Sequence, residues 1–149
     1  MKRWLRKPHV LEFWPEQMTD KQITEKYLSH IDSNIVFPFL IYFSETAIGY
    51  IQAYQANHVG DGWWPDEKEG TYGLDLFIGE VDYLGKGYGT KVIKSFLNHI
   101  RNTHEVRKWI IDVDPKNTRA IRCYEKAGFR FVKEIDTPDG KANLMEKSD

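Results

Sequence analysis

Three glycines at alternate positions, in Tyr83-Leu84-Gly85-Lys86-Gly87-Tyr88-Gly89-Thr90, run straight into the apolar spacing Val92, Ile93, Phe96, Leu97, Ile100. That spacing predicts an amphipathic helix entered through a glycine-rich turn. Glycine permits φ > 0 and close approach of backbone to a ligand, and a helix N-terminus behind it directs free N–H groups at negative charge. The stretch therefore reads as an anion cradle whose natural guest is a phosphate or pyrophosphate. The named phosphate motifs do not fit it. A P-loop requires Gly-x-x-x-x-Gly-Lys-Ser/Thr, whereas Gly79 lies one residue too far from Gly85 and Gly87 follows Lys86. The dinucleotide fingerprint Gly-x-Gly-x-x-Gly fails too, because the pattern here is Gly-x-Gly-x-Gly in mid-chain.

The segment before the cradle, Thr71 to Gly79, is expected to be a strand, with Tyr72, Leu74, Leu76 and Ile78 on one face and Gly73, Asp75 and Phe77 on the other. Asp is depleted in strands and costly to bury, so Asp75 between Leu74 and Leu76 invites a functional explanation. Behind the cradle's helix, Val106 to Val113 reads as a strand and Asn117 to Lys126 as a helix stopped by Gly128. Strand, crossover helix and strand make a parallel unit.

The remaining elements follow from local signals. Pro8 suits a first helical turn, and His9 to Trp14 is expected as a short helix closed by Pro15. Thr19 and Gln22 form a capping box ahead of Ile23, Tyr27, Leu28 and Ile31, which the spacing puts on one face. Phe39 to Ser44 and Ala47 to Ala56 read as a hairpin turning at Glu45-Thr46, and a polar loop spans Asn57 to Gly70. Phe129 to Ile135 and Ala142 to Glu146 pair about Thr137-Pro138-Asp139-Gly140. With 149 residues, 41% of them hydrophobic and 14% aromatic, one domain spanning residues 1–149 with a real core is expected.

A net charge of −1 gives no global electrostatic reason to expect a nucleic acid or anionic membrane partner. The local charges segregate. Asp61, Asp66, Glu67, Glu69, Asp75, Glu80 and Asp82 face only Lys68 in the stretch 61–82, whereas Lys86, Lys91, Lys94, Arg101, Arg107 and Lys108 face only Glu105 in 86–108. One lobe suits a cation and the next an anion. One cysteine, Cys123, excludes an internal disulfide and a cysteine zinc cluster, which fits a reducing cytoplasm. No metal is expected. The basic N-terminus lacks the apolar run of a signal peptide, and no run reaches about 18 apolar residues.

With these elements placed, the run Asn117-Thr118-Arg119-Ala120-Ile121-Arg122-Cys123-Tyr124-Glu125-Lys126-Ala127-Gly128-Phe129 resembles the GCN5-related N-acetyltransferase superfamily in its Asn-x-x-Ala-x-x-x-Tyr-x-x-x-Gly-Phe pattern. His9-Val10-Leu11-Glu12-Phe13-Trp14, Asp61-Gly62-Trp63-Trp64, Leu74-Asp75-Leu76-Phe77-Ile78-Gly79 and Thr137-Pro138-Asp139-Gly140 look like aminoglycoside 6'-N-acetyltransferases. The resemblance implies an α/β fold with a mixed, mostly antiparallel sheet, one parallel βαβ unit and helices on both faces. Two departures stand out. The superfamily's loop usually begins with Arg or Gln where this chain has Leu84, which removes a side chain but no backbone donor. Members also usually open with a strand ahead of the first helix, and Met1 lies almost at that helix, so either a short form or an upstream start is expected.

The resemblance further implies acetyl-CoA as donor, with its pyrophosphate on the amides of Gly85, Lys86, Gly87, Tyr88, Gly89 and Thr90 and its pantetheine along Leu76, Phe77 and Ile78. Lys86 and Lys91 would add charge, and Asn117 matches a residue that contacts the cofactor arm. The acceptor must be an unprotonated amine, yet a sugar amine titrating about 1–2 units above neutral is only about 1–10% free, at a cost of roughly 1.4–2.8 kcal/mol. Asp75 matches the proposed base; an ordinary Asp pKa near ~3.9 makes it poor at direct abstraction, which favours holding the ammonium and passing the proton through water. Burial or a carboxylate such as Asp112 would make it a better base. Tyr124 matches the general acid for the leaving CoA thiolate, and an oxyanion donor is expected from an amide near Leu76 to Ile78, at a bulge. Cys123 is expected to be structural.

An aminoglycoside, as a polycationic sugar, wants carboxylates and aromatic faces. Asp61, Asp112 and Asp139 supply the first and Trp14, Trp63 and Trp64 the second, one of the adjacent tryptophans being expected only to pack. The rival readings are acylation of a siderophore hydroxylamine or another small amine, a CoA-binding module without catalysis, and N-terminal acetylation of proteins. A monomer or weak dimer is expected.

Overall fold

The computed structural model describes residues 1–58, 64 and 66–148. The strands β1 (Val36–Phe43), β2 (Thr46–Gln55), β3 (Thr71–Ile78), β4 (Lys108–Val113), β5 (Arg130–Thr137) and β6 (Gly140–Ser148) form one sheet in the order β1-β2-β3-β4-β6-β5. Every ladder is antiparallel except β3 with β4, which is parallel, as the strand–helix–strand pattern implies. Pro38 is tolerated inside β1 because β1 is an edge strand, where a missing N–H breaks no central ladder. The first hairpin turns at Ser44, in left-handed conformation at φ 53°, and Glu45, one residue earlier than expected.

Helices α3 (Tyr88–Arg101) and α4 (Thr118–Lys126) cover one face. There Ile93, Leu97 and Ile100 pack with Ile51, Leu74, Trp109 and Ile111 in the main core. The opposite face is covered by a 3-10 turn (Trp4–Arg6), α1 (Pro8–Leu11) and α2 (Asp20–Ile31). Here Trp4, Leu5, Val10 and Ile23 close over Tyr50 and Phe77. Strand alternation sorts the two sets, with Leu74 under α3 and Phe77 under the N-terminal segment.

The capping box of α2 is present in both halves: Gln22 N–H donates to Thr19 Oγ1 at 3.3 Å and Thr19 N–H to Gln22 Oε1 at 2.9 Å. The packing face differs from expectation. Leu28 and Ile31 are 57% and 66% exposed, because α2 docks through Ile23, Tyr27 and His30. Tyr27 meets Tyr50 edge-on at 5.3 Å, and this aromatic contact fixes the helix's rotation. The short N-terminal helix ends at Leu11 rather than Trp14, although Trp14 N–H still bonds Val10 O at 2.8 Å.

The N-terminal segment is clasped to the end of β3. A Cβ on Gly79 would lie 2.2 Å from Trp4 Cγ, so the indole rests directly on the glycine backbone. Trp4 Nε1 donates to Glu80 at 2.7 Å, and Lys7 and Arg3 pair with the same carboxylate. These donors, Lys7 first, hold Glu80 well below the usual carboxylate range, at about 2.

Candidate active site

The site begins where the sheet comes apart. β3 and β4 pair only at Thr71↔Lys108, Tyr72↔Trp109 and Gly73↔Ile110, yet β3 continues to Ile78 and β4 to Val113. Beyond Gly73 a wedge separates them. Gly79 N–H donates to Ile48 O at 2.7 Å, and Phe77 O lies where a Cβ on Gly49 would meet it at 2.3 Å, so Phe77 turns its backbone toward β2. By strand alternation Leu76 and Ile78 present theirs to the wedge, and His9 Nε2 lies 3.1 Å from Ile78 O. The expected bulge is absent from this stretch: the β2–β3 register runs unbroken from Gly49↔Ile78 to Gln55↔Tyr72. The free strand edge comes from splaying instead. Phe77, expected beside Leu76 and Ile78 on the cofactor arm, is 8% exposed and packs its ring on Trp4 and Trp14.

The glycine turn sits at the far end of the wedge. Gly85 and Gly87 have φ 70° and 79°, while Gly89 lies inside α3. The first two are glycine for conformation, since among the described residues no atom lies within 4 Å of an added Cβ. Gly89 is small for packing, because its Cβ would stand 2.9 Å from Cys123 Sγ on α4. Only two of the three glycines therefore bend the chain as the sequence pattern suggested. Gly87 caps α3 without a side chain, leaving the first-turn N–H groups of the helix open. Tyr88 stacks near Phe43 and Tyr83 at 5.0 and 5.8 Å and anchors the turn from behind. Lys86 and Lys91 are exposed. Thr90 Oγ1 lies 3.3 Å from Cys123 Sγ, and burial pushes the Cys123 thiol up, away from nucleophilic thiolate. Asn117 caps α4, its Oδ1 accepting from Ala120 N at 3.2 Å.

At the other end stands Asp75. A single cleft of about 960 Å³ takes in Asp75, Asp112, Tyr124, Trp14, the glycine turn and Asn117. Burial, then Asp112, push the Asp75 carboxyl up to about 7 against an opposing hydrogen bond from Gln52. Gln52 Nε2 donates to Asp75 Oδ2 at 2.8 Å, and Tyr50 OH donates to Gln52 Oε1 at 2.6 Å. Asp112 is itself raised by burial and by Asp139, which is exposed on the β5–β6 turn and lines the same cleft. Tyr124 is 7% exposed, and burial first, then the neighbouring thiol and carboxylates, raise its hydroxyl's pKa. A phenol so placed keeps its proton and can offer it in a hydrogen bond.

The tryptophans part company. Trp14 lines the cleft with its ring 5.0 Å from that of Phe77. Trp64 is 8% exposed among Tyr54, Ile110 and Leu144 and donates Nε1–H to Tyr54 OH at 3.3 Å, so it belongs to a core cluster rather than to the described lining of the cleft. Asp61 and Trp63 lie outside the described residues. Among the described residues no group of three or more His, Cys, Asp or Glu is placed to hold a metal ion, and no helix is long and apolar enough to cross a membrane.

Several cleft residues were not anticipated. Gln52 lines the cleft and reaches Asp75 through the register pair Gln52↔Asp75, with Tyr50 bonded behind it, which requires knowledge of how β2 and β3 align. Glu16, whose side chain is 5% exposed, lines the cleft with Lys26. Arg119, Arg122 and Lys126 line the cleft from α4 at i, i+3 and i+7, a periodicity that was visible in the sequence.

This arrangement has known counterparts. A family model described as an acetyltransferase (GNAT) domain matches residues 1–137. The aminoglycoside N(6')-acetyltransferase type 1 of Klebsiella pneumoniae is 40% identical over 147 residues, covering 95% of this chain and 73% of the relative. A kanamycin resistance protein of Rhizobium radiobacter is 44% identical over 84 residues, covering 56% of this chain and 78% of the relative. The crystal structure of AAC(6')-Ib in complex with coenzyme A and kanamycin superposes with a TM-score of 0.89 at 39% identity, covering 97% of this chain and 85% of that one. A splayed mixed sheet, a glycine turn at a helix N-terminus and a family match over most of its length together place the chain in the GNAT acetyltransferase family.

Proposed function

We propose that this protein transfers the acetyl group of acetyl-CoA directly to the 6'-amine of aminoglycoside antibiotics and thereby confers resistance to them. The placement of Asp75 carries this reading. The carboxylate stands two residues past the last β3–β4 pair, where the wedge begins to open, is raised to about 7, and shares one cleft with an uncapped helix N-terminus suited to phosphate. Relatives named for 6'-acetylation of aminoglycosides, and a similar structure holding coenzyme A and kanamycin, support the choice of donor and acceptor.

The residues fit acetyl-CoA. The amides from Gly85 to Thr90 would take the pyrophosphate, and the edge formed by Leu76 and Ile78 would take the pantetheine arm as a strand takes a neighbour. Leu84 costs little, because the donors here are backbone groups. Bound acetyl-CoA supplies an activated thioester. Asp112, Asp139 and Asp75 hold the acceptor's ammonium groups, and Trp14 offers a ring face. Asp61 and Trp63 belong to the same proposed subsite.

Asp75 is a base matched to neutral pH, since a carboxylate titrating near 7 both accepts a proton readily and is substantially ionised. It takes the ammonium's proton, directly or through water. An amide of the exposed β3 edge steadies the developing oxyanion, and as the intermediate collapses Tyr124 gives a proton to the departing sulfur and regains one from the nitrogen that becomes the amide. The reading also includes a cytoplasmic monomer or weak dimer with no nucleic acid, membrane or metal partner.

The test is acetyl-CoA-dependent thiol release with kanamycin, beside a derivative lacking the 6'-amine and the Asp75→Asn variant. Turnover is expected with the parent drug alone, and Asp75→Asn is expected to lose about 10²–10⁴-fold in kcat. Acetyl-CoA binding without turnover of any aminoglycoside would sink the acceptor and turn attention to polyamines and hydroxylamines.

A further inference from the structure

Asp75 does not stand alone on its strand. The β2–β3 register sets Gln52 directly opposite it and Tyr50 opposite Phe77, so Tyr50 and Gln52 follow one another on the face that Asp75 occupies. A carboxamide is an ambiguous neighbour for a carboxylate. Its NH₂ end donates and favours the anion; its carbonyl end only accepts and favours the protonated acid. A rotation of half a turn exchanges the two. Here the ambiguity is removed from behind. Tyr50 keeps its proton, because burial drives its pKa far upward, and it donates to Gln52 Oε1 at 2.6 Å. That leaves Nε2 for Asp75 Oδ2 at 2.8 Å. Tyr50 itself is 3% exposed, its ring held between Tyr27 at 5.3 Å and Phe77 at 5.8 Å.

We propose that Gln52 and Tyr50 are positioning residues for Asp75: the Tyr50 hydroxyl fixes which end of the Gln52 amide meets the carboxylate, so that one oxygen is held and the other is left for the acceptor. The inference rests on the acetyltransferase reading above for its kinetic consequence only. The other groups facing Asp75 are Lys26 from α2, which favours its anion, and Asp112 from β4, which opposes it. Tyr27, Tyr54 and Tyr124 also face it and keep their protons. None of these is hydrogen-bonded to it among the described contacts, so the amide is the direct partner whose orientation can reverse its effect.

The experiment compares wild type with Tyr50→Phe, Gln52→Leu and the double variant. Two readouts are taken: the carbon-13 titration of the Asp75 carboxyl, and the pH profile of kcat/KM for kanamycin. Tyr50→Phe retains the packed ring and is expected to move the Asp75 midpoint up by about one pH unit and to lower kcat/KM at neutral pH about fivefold. The KM for acetyl-CoA should be unchanged. Gln52→Leu should do at least as much, and the double variant should be no worse than Gln52→Leu, because Tyr50 acts through Gln52. An unmoved midpoint in a folded Tyr50→Phe protein, or losses that multiply in the double variant, would overturn the inference. Should wild type bind acetyl-CoA yet leave kanamycin untouched, the acceptor assignment fails alone, and the carboxyl titration still decides the positioning role.

Discussion

The two ends of the cleft are built from different materials. At the glycine turn the groups proposed to bind are main-chain N–H groups at the start of α3, and the lysines nearby are exposed. At Asp75 they are side chains brought from β2, β3, β4 and the N-terminal segment, each depending on another for its protonation or aim. A main-chain site tolerates substitution of its side chains and fails only when the backbone is displaced. A side-chain site can fail at any link.

Displacing the backbone is therefore the largest effect expected at the cofactor end. Gly87→Val forces a β-branched residue to φ 79°, a strain of about 1–2 kcal/mol, and should weaken acetyl-CoA binding roughly tenfold. Isothermal titration would measure that loss, and the acidic limb of the kanamycin pH profile should stay where it was. A moved limb would break the division between the two ends. Asp112→Asn sharpens it from the other side. Asp112 raises Asp75, so its neutralisation lets Asp75 ionise at lower pH: the limb should move down by less than about one unit while the KM for kanamycin rises about fivefold and acetyl-CoA affinity holds. The smallest effect belongs to Lys86→Ala. An exposed lysine beside a main-chain cradle should be worth about twofold in acetyl-CoA affinity at low salt and nothing measurable at high salt.

The same division explains what could be read from the sequence. The glycine turn, the capping box at Thr19, the strand holding Asp75 and the helix ended by Gly128 are local, and each was legible because its signal lies within a few consecutive residues. The pairing of Gln52 with Asp75 was not, because it is set by register, and a slip of one residue would have brought Ile51 or Ala53 opposite instead. The phase of α2 was misread for a related reason. Leu28 and Ile31 have the right spacing for burial, but what rotates the helix is Tyr27 meeting Tyr50 on a distant strand. Trp64 shows the limit of composition. One of the adjacent indoles was expected only to pack, but which one could not be told from composition, because the neighbours that make Trp64 a core residue, Ile110 and Leu144, come from β4 and β6.

The three-pair ladder between β3 and β4 also bears on how the molecule comes apart. Across that seam the halves β1-β2-β3 and β4-β6-β5 share few main-chain bonds and are joined mainly by the side-chain core under α3, so the lips of the wedge are expected to open locally at lower cost than the rest of the sheet when the wedge is empty. A ligand bridging both lips couples their opening, and mass action then makes unfolding more concerted as its concentration rises. The amides of Leu76 and Ile78 should report this directly, exchanging with solvent deuterium quickly in the free protein and slowly once acetyl-CoA is bound. In that sense the donor acts as a removable strand laid across a seam that the main-chain ladder leaves open.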